Sequence, residues 1–364
     1  MAEAKRILFC IDSLTGGGAE RIMQNTVNEL AKDPALKISV QLLSGKTFPE
    51  LNPAIDKRTF MKNGRIYRRL IKYLPARILH WLVVKGTYDV EVAFLEGAST
   101  KIISGCRKKG TRKIAWVHTD LERYPWSLRS YRNIGEERKA YARFDKVFAV
   151  STEVKEVVKR RFDTEAVFIQ NVIENQSIVE MSKTEEVYKD SKIHLVSVGS
   201  LKPIKGYDRL LRVHKTLKER GIDCAHYILG SGPEHDRLQK MIDDAGLSEQ
   251  LILVGYTDNP YPWIKGADLV ISASYAEGYS SVVSEAIILG TPVVTTDCAG
   301  MRDILGESEF GLIVENTDDA LENGVVKLLT DRDLLVSYRE KARERQNIYR
   351  VEYAVEQLKS AMEL

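Results

Sequence analysis

The chain is poor in cysteine. Cys10, Cys106, Cys224 and Cys298 are scattered and never form a C-x-x-C pair. Neither a disulfide framework nor a zinc site is expected, and a reducing compartment is the simplest setting. No apolar run approaches the roughly 18 residues needed to span a bilayer, which excludes a membrane-spanning helix. Arg6-Ile-Leu-Phe-Cys-Ile11 runs straight into a Gly-rich turn without a secretory pattern. Nothing repeats at a solenoid period. These absences leave a globular enzyme or binding protein of 364 residues, long enough for two α/β domains.

Acidic charge is missing in one place. From Lys57 to Lys85 there are nine Lys and Arg and no Asp or Glu, with Phe60, Tyr67, Tyr73, Ile78 and Trp81 interleaved. A basic amphipathic helical stretch with aromatics suits an anionic bilayer face. A helix with a solvated basic face is the plain alternative, and nucleic acid a third that is not expected as a partner. The wider balance is uneven too. Residues 1–180 hold 32 basic against 21 acidic residues, and residues 181–364 hold 22 against 30. A basic half joined to an acidic half suggests that one domain faces an anionic partner.

What is present is an alternation of strand and helix. Buried-strand patterns occur at 5–12, 38–43, 88–95, 112–117, 145–150 and 168–172, then again at 193–198, 227–229, 251–256 and 269–274. Residues 175–191 are polar and weakly patterned, and read as a linker. The expected division is 1–174, the linker 175–191, a second domain 192–345, and a C-terminal helix 346–364 whose apolar stripe includes Val351, Ala354, Val355, Leu358 and Met362. Alternation of this kind argues for two doubly wound α/β domains.

The chemistry concentrates at Ser274-Tyr-Ala-Glu-Gly-Tyr-Ser-Ser-Val-Val-Ser-Glu285. Glu277 sits in a loop opened by Gly278, and Glu285 in a helix that starts near Ser280 or Ser281 and ends at Gly290. Free helix N–H groups suit a phosphate. Carboxylates on either side suit hydroxyl-rich groups, because an ionised carboxylate only accepts hydrogen bonds. Sugar hydroxyls, diphosphate and ribose hydroxyls in that order describe a nucleotide sugar. Asp331-Arg-Asp333 has the D-x-D spacing, but opens a charged helix and reads as helix-terminal acids rather than a metal site.

The pattern Glu277-x7-Glu285 resembles the E-x7-E motif of retaining glycosyltransferases of family 4, which have the GT-B fold: two Rossmann-like domains facing across a cleft. The resemblance extends over nearly the whole chain. Gly16-Gly17-Gly18-Ala-Glu-Arg21 resembles the family's Gly-rich turn, and Gly199-Ser-Leu-Lys-Pro-Ile-Lys-Gly206 resembles G-R-L-x-x-x-K-G, with Ser200 where the family has Arg. The resemblance implies that Glu277, His118 and Lys205 are catalytic. It implies a donor site of Gly17, Gly18, Lys202, Gly230, Tyr256, Gly278, Tyr279, Ser280, Ser281 and Glu285, and an acceptor site of Gly16, Arg21, Arg123 and Trp126. It also implies retention, a nucleotide-diphosphate sugar (a UDP-sugar first) as co-substrate, and no metal or other cofactor. With the basic first half, it suggests a lipid-linked or polysaccharide acceptor and a peripheral place on the cytoplasmic membrane face. A sugar-nucleotide epimerase of the same fold, or a silent nucleotide- or membrane-binding scaffold, are the rival expectations.

Overall fold

A computed structural model describes residues 3–14, 17–45, 51–61 and 71–364. The chain divides into two compact units, Met1–Ile173 with Val351–Leu364, and Glu174–Arg350. Among the described residues the first holds seven strands: β1 Lys5–Ile11, β2 Leu36–Ser44, β3 Asp56–Met61, β4 Val90–Ala93, β5 Arg112–Val117, β6 Lys146–Ala149 and β7 Val167–Phe168. All neighbours pair in parallel, in the order β3-β2-β1-β4-β5-β6-β7. The second holds β8 Ile193–Val198, β9 Cys224–Leu229, β10 Leu251–Gly255, β11 Leu269–Ser272, β12 Val293–Thr296 and β13 Leu312–Val314. This sheet is parallel as well, in the order β10-β9-β8-β11-β12-β13.

The central strands are continuous apolar runs because helices cover both faces of a parallel sheet. Ile7 to Ile11 of β1 and Leu269 to Ile271 of β11 are buried throughout. Each such side chain contributes roughly 1.5–3 kcal/mol. In both sheets the strand order reverses once, between β1 and β4 and between β8 and β11. At a reversal, successive crossovers run to opposite sides and leave a crevice outside the carboxyl ends of the strands.

The residues expected as a linker, 175–191, begin with a helix, Asn175–Met181, that belongs to the second unit. Its pattern is hard to read because Ile178 is the apolar residue it buries. The second unit also runs on to Arg350: Tyr349 is buried there, and its carbonyl accepts from Asn175 Nδ2 at 2.7 Å. The helix Val351–Met362 packs on the first unit, burying Ala354, Leu358 and Met362. Lys359 pairs with Asp33 at 2.5 Å, and Glu363 with Arg112 and Lys146. The basic stretch is not one helix. Lys57 and Arg58 lie on β3, an edge strand, and the helix Ala76–Val83 buries Leu79, His80 and Val83 while Trp81 stands 70% exposed. Lys62, Arg65, Arg68 and Arg69 lie outside the described residues. Among the described residues no helix is long and apolar enough to cross a membrane.

Candidate active site

In the second unit the site forms at the β8–β11 reversal. Lys205 ends a 3-10 turn, Pro203–Lys205, beyond β8. Gly206 then takes the left-handed conformation at φ 65°, and a Cβ there would lie 2.1 Å from the Ala273 carbonyl. Only glycine lets the loops after β8 and β11 approach this closely. That contact brings Lys205 Nζ to 2.6 Å from Glu277 Oε1, and Ser274 Oγ donates to the same oxygen at 2.6 Å. Both charged side chains are partly covered, so their pairing is screened less than a surface pair would be.

The loop carrying Glu277 is held from behind by Arg209, which is buried. Its guanidinium donates to the Ala273 carbonyl, to Asn316 Oδ1 and to Asp318 Oδ1 at 3.2, 2.8 and 2.8 Å, and lies 4.6 Å from the Tyr275 ring centre. Asn316 Nδ2 in turn donates to the Tyr275 carbonyl at 3.0 Å. The loop leads into the helix Ser281–Leu289. Ser280 is its N-cap, its Oγ accepting from Val283 N, and Gly290 closes it in the left-handed conformation. Glu285 is buried one turn into this helix. Tyr279 OH lies 3.4 Å from Tyr349 OH.

In the first unit the comparable edge presents a buried carboxyl and an imidazole. β4 is followed by Glu96, which is fully buried, and β5 by His118 and Thr119. Glu96 Oε1 accepts from the His118 and Thr119 amides at 2.5 and 2.7 Å, while Glu96 Oε2 is buried without a partner among the described residues. Burial pushes this carboxyl up to about 7, against the pull of those amides. The His118 ring packs on Phe94 and Trp116, with centroids 4.6 and 5.5 Å apart. Burial holds its pKa down to about 3, so the imidazole is neutral at pH 7, and its Nε2 has no partner among the described residues. Trp126 Nε1 donates to Thr119 Oγ1 at 3.4 Å.

Residues 16–176 match the model of Glycosyltransferase Family 4, and residues 180–345 that of Glycosyl transferases group 1. The chain belongs to the group 1 glycosyltransferases. It is 32% identical over 179 residues to the Campylobacter jejuni N-acetylgalactosamine-N,N'-diacetylbacillosaminyl-diphospho-undecaprenol 4-alpha-N-acetylgalactosaminyltransferase, which covers 49% of this chain. The chain spans about half of that relative's length, 48%. It is 23% identical to an uncharacterized glycosyltransferase of Haemophilus influenzae over 98% of this chain and 100% of the relative. Among solved structures it is similar in fold to Anabaena HepE in complex with UDP and glucose, with a TM-score of 0.78, 16% identity, and coverage of 98% and 99% of the two chains. These likenesses, with the two parallel sheets, make the fold GT-B.

The residues expected from the sequence of this glycosyltransferase fall into distinct groups. Lys205 meets Glu277, which leads through Gly278 and Ser280 into the helix that carries Ser281 and Glu285, and His118 precedes Thr119, which Trp126 contacts. Gly230 (φ 141°) is a close-approach position, where a Cβ would meet the Gly199 carbonyl at 2.0 Å. Others are placed differently. Gly17 N, expected near a donor phosphate, donates to Glu20 Oε2 at 3.0 Å, so the chain's own carboxylate sits at the start of the helix Gly18–Leu30. Arg21 N closes the first turn on the Gly17 carbonyl. Tyr256 is exposed beyond the edge strand β10, its hydroxyl donating to Asp258 at 2.8 Å. Lys202 is exposed. Arg123 lies against Asp120, its amide donating at 3.1 Å to a side-chain oxygen. Gly16 lies outside the described residues. Asp331 caps its helix by accepting from Leu334 N at 2.9 Å. Sequence reasoning missed Glu96, Thr119, Ser274, Arg209 and Asn316. The one available signal was that Glu96 follows a strand end.

Proposed function

We propose that this glycosyltransferase moves a sugar from a nucleoside-diphosphate sugar, a UDP-sugar first, to a hydroxyl of a lipid-linked or polymeric glycan, with retention at the anomeric carbon and without a metal ion. The observation that carries the reading is the Lys205–Glu277 contact beside the N-terminus of the helix Ser281–Leu289. A diphosphate arriving there draws Lys205 and meets the first-turn amides, whose partial positive charge adds to the ammonium. Glu277 is then released to accept from sugar hydroxyls, and Glu285 accepts from the ribose. As the bond from the anomeric carbon to the diphosphate oxygen breaks, negative charge grows on that oxygen, and Lys205 stabilises it. The acceptor oxygen bonds to the anomeric carbon from the same face, and its proton passes to the departing phosphate. The products are the glycosylated acceptor and the nucleoside diphosphate. HepE's complex with UDP and glucose and the diphospho-undecaprenol in the C. jejuni relative's name support this choice of donor and acceptor.

The acceptor class rests also on the first domain. Trp81, Tyr73 and Ile78 are exposed beside Arg77 and Lys85, and Lys85 Nζ lies 5.2 Å from the Trp81 ring centre. Amphipathic aromatics with cations suit an anionic bilayer surface at the cytoplasmic face. Flotation with anionic vesicles, and not with neutral ones, is the expected result. Equal absence from both removes the membrane from the proposal.

The donor is tested by thermal denaturation with UDP, GDP, ADP and CMP, with and without magnesium. One diphosphate at 100 times its Kd adds about 2.7 kcal/mol, without metal, and Lys205→Met removes the effect. Stabilisation by none of the four would sink the donor assignment. NMR of the product then reads the anomeric configuration, and an inverted product overturns retention.

A further inference from the structure

We propose that Glu96 is a positioning residue at the carboxyl edge of the first domain's sheet, an ionisable clamp whose carboxylate sets the backbone that presents His118 and Thr119. The proposal stands on how Glu96 is held. It is fully buried at the point where the first sheet reverses its strand order, and Gly97 follows it with φ 85°. One oxygen accepts two consecutive amides, from the first two residues beyond β5. Two short amide bonds to one oxygen fix the direction in which the chain leaves β5. Downstream of that clamp, the His118 ring is laid on Phe94 and Trp116, and the Thr119 hydroxyl meets Trp126. Glu96 therefore acts through His118, Thr119 and Trp126 without touching substrate itself.

The second oxygen is what makes the clamp ionisable. Among the described residues Oε2 is buried with no partner, so a proton added there breaks no hydrogen bond they make. Its surroundings do not hold the charge in place. Glu137 raises the carboxyl further, although Glu137 itself accepts from Ser127 Oγ at 2.5 Å and Arg161 Nη2 at 3.1 Å. Tyr141, with a buried hydroxyl lacking a partner, and neutral His118 bring no positive charge. The carboxyl thus changes state around pH 7. Ionised, it grips both amides with a full charge; protonated, it holds them as a neutral carbonyl does, about half as strongly.

The test uses the full chain labelled with ¹⁵N at histidine and threonine. In the wild type the His118 and Thr119 amide protons move downfield together as pH rises through about 7. In Glu96→Gln, whose amide oxygen accepts the same two bonds without ionising, both stay fixed. His118→Gln and Thr119→Ser identify the two signals. Amides that do not move in the wild type, or that move equally in Glu96→Gln, overturn the clamp. This readout needs no substrate, so it stands or falls apart from the reading of the chain as a transferase. Given that reading, on which the kinetic half rests, kcat of the wild type rises with pH through the same range. Glu96→Gln is flat at the acid-limb rate, and Glu96→Ala loses about a hundredfold, the size expected when a reacting geometry slips by about 1 Å. A wild-type pH limb retained in Glu96→Gln would show that Glu96 only fills space.

Discussion

The two domains of this glycosyltransferase share a parallel sheet and one reversal of strand order, yet they furnish the carboxyl edge in opposite ways. The second domain places a cation and a carboxylate in contact, Lys205 on Glu277, on loops locked by Arg209 and a glycine approach. The first uses a neutral imidazole and a clamped, buried carboxyl. On the proposed reading, the difference separates two tasks. Binding and cleaving a diphosphate ester requires fixed positive charge that meets charge as it develops. Recognising hydroxyls suits a hydrogen-bonding group that stays neutral in a dry environment, as the His118 imidazole does, with the carboxylate behind it held by amides rather than by a cation.

The largest expected effect tests that separation directly. Lys205→Met should lower kcat/KM by about 10²–10³-fold, the usual loss for removing one group that stabilises transition-state charge. His118→Ala should cost about tenfold, the worth of one neutral hydrogen bond. Both are read on one donor and one acceptor at saturating partner concentration. Equal losses would erase the distinction between the cation of the second domain and the neutral imidazole of the first.

Loop architecture gives the next effect. Gly206→Ala places a Cβ 2.1 Å from the Ala273 carbonyl in a left-handed conformation and should destabilise the second domain by about 3 kcal/mol. Gly110→Ala in the first domain has a similar φ, 82°, and nothing within 4 Å of the new Cβ, so only the conformational cost of about 1–2 kcal/mol applies. Urea denaturation separates them. A Gly206→Ala protein as stable as Gly110→Ala would mean that the two loops are not locked together.

His80 in the first domain and His214 in the second should give opposite pH dependence of stability. In the first domain burial pushes His80 down, but Cys106 and the Glu91 carboxylate, 2.7 Å away, push it up further, to about 9. Its folded pKa lies above the unfolded value of about 6.5. Its contribution is therefore complete below pH 6.5 and lost as pH rises toward 9, about 3 kcal/mol at full extent. In the second domain Ser197 Oγ donates to the Ile271 carbonyl, so it accepts from His226 Nε2 at 2.9 Å. His226 Nδ1 then accepts from His214 Nε2 at 3.0 Å, leaving His214 Nδ1 without a partner. Burial lowers His214 to about 4. Protons then bind the unfolded chain first, and stability falls as pH drops from 6.5 to 4, again by about 3 kcal/mol. Denaturation from pH 4 to 9 of the wild type, His80→Gln and His214→Gln checks both. Each variant should flatten its own limb by about that amount and leave the other limb unchanged.

Particular residues show what was legible in the sequence. The second-domain edge could be read because apolar strands, Gly278 and Gly290 punctuate the chain around Glu277 and Glu285, and capping chemistry is local. The helix starts at Ser281 after a Ser280 cap and stops at Gly290, as its residues dictate. Glu96 could not be read, because its role depends on which strands neighbour one another. A buried glutamate at a strand end has the same local sequence as an exposed one. The Lys205–Glu277 contact spans 72 residues and depends on the same strand order. Helix Asn175–Met181 was hidden by its own polarity, since packing rather than pattern orders it.

The smallest effect sharpens the comparison most finely, because it holds stability constant. Ser280 and Ser151 cap one helix in each domain, accepting from Val283 N at 3.4 Å and from Val154 N at 3.1 Å. Alanine at either should cost about 1 kcal/mol of stability. The consequences for the donor should differ. Ser280→Ala frees an amide at the helix end proposed to meet the diphosphate and removes a hydroxyl beside it, so Kd for the stabilising nucleotide should change two- to fivefold or so, within one uncompensated hydrogen bond. Ser151→Ala loses the same stability at a helix given no ligand and should leave that Kd unchanged. Calorimetric titration of both variants, compared at equal fractions folded, decides the point. Equal nucleotide affinities would place the diphosphate away from the helix Ser281–Leu289, and the positive charge it needs would then rest on Lys205 alone.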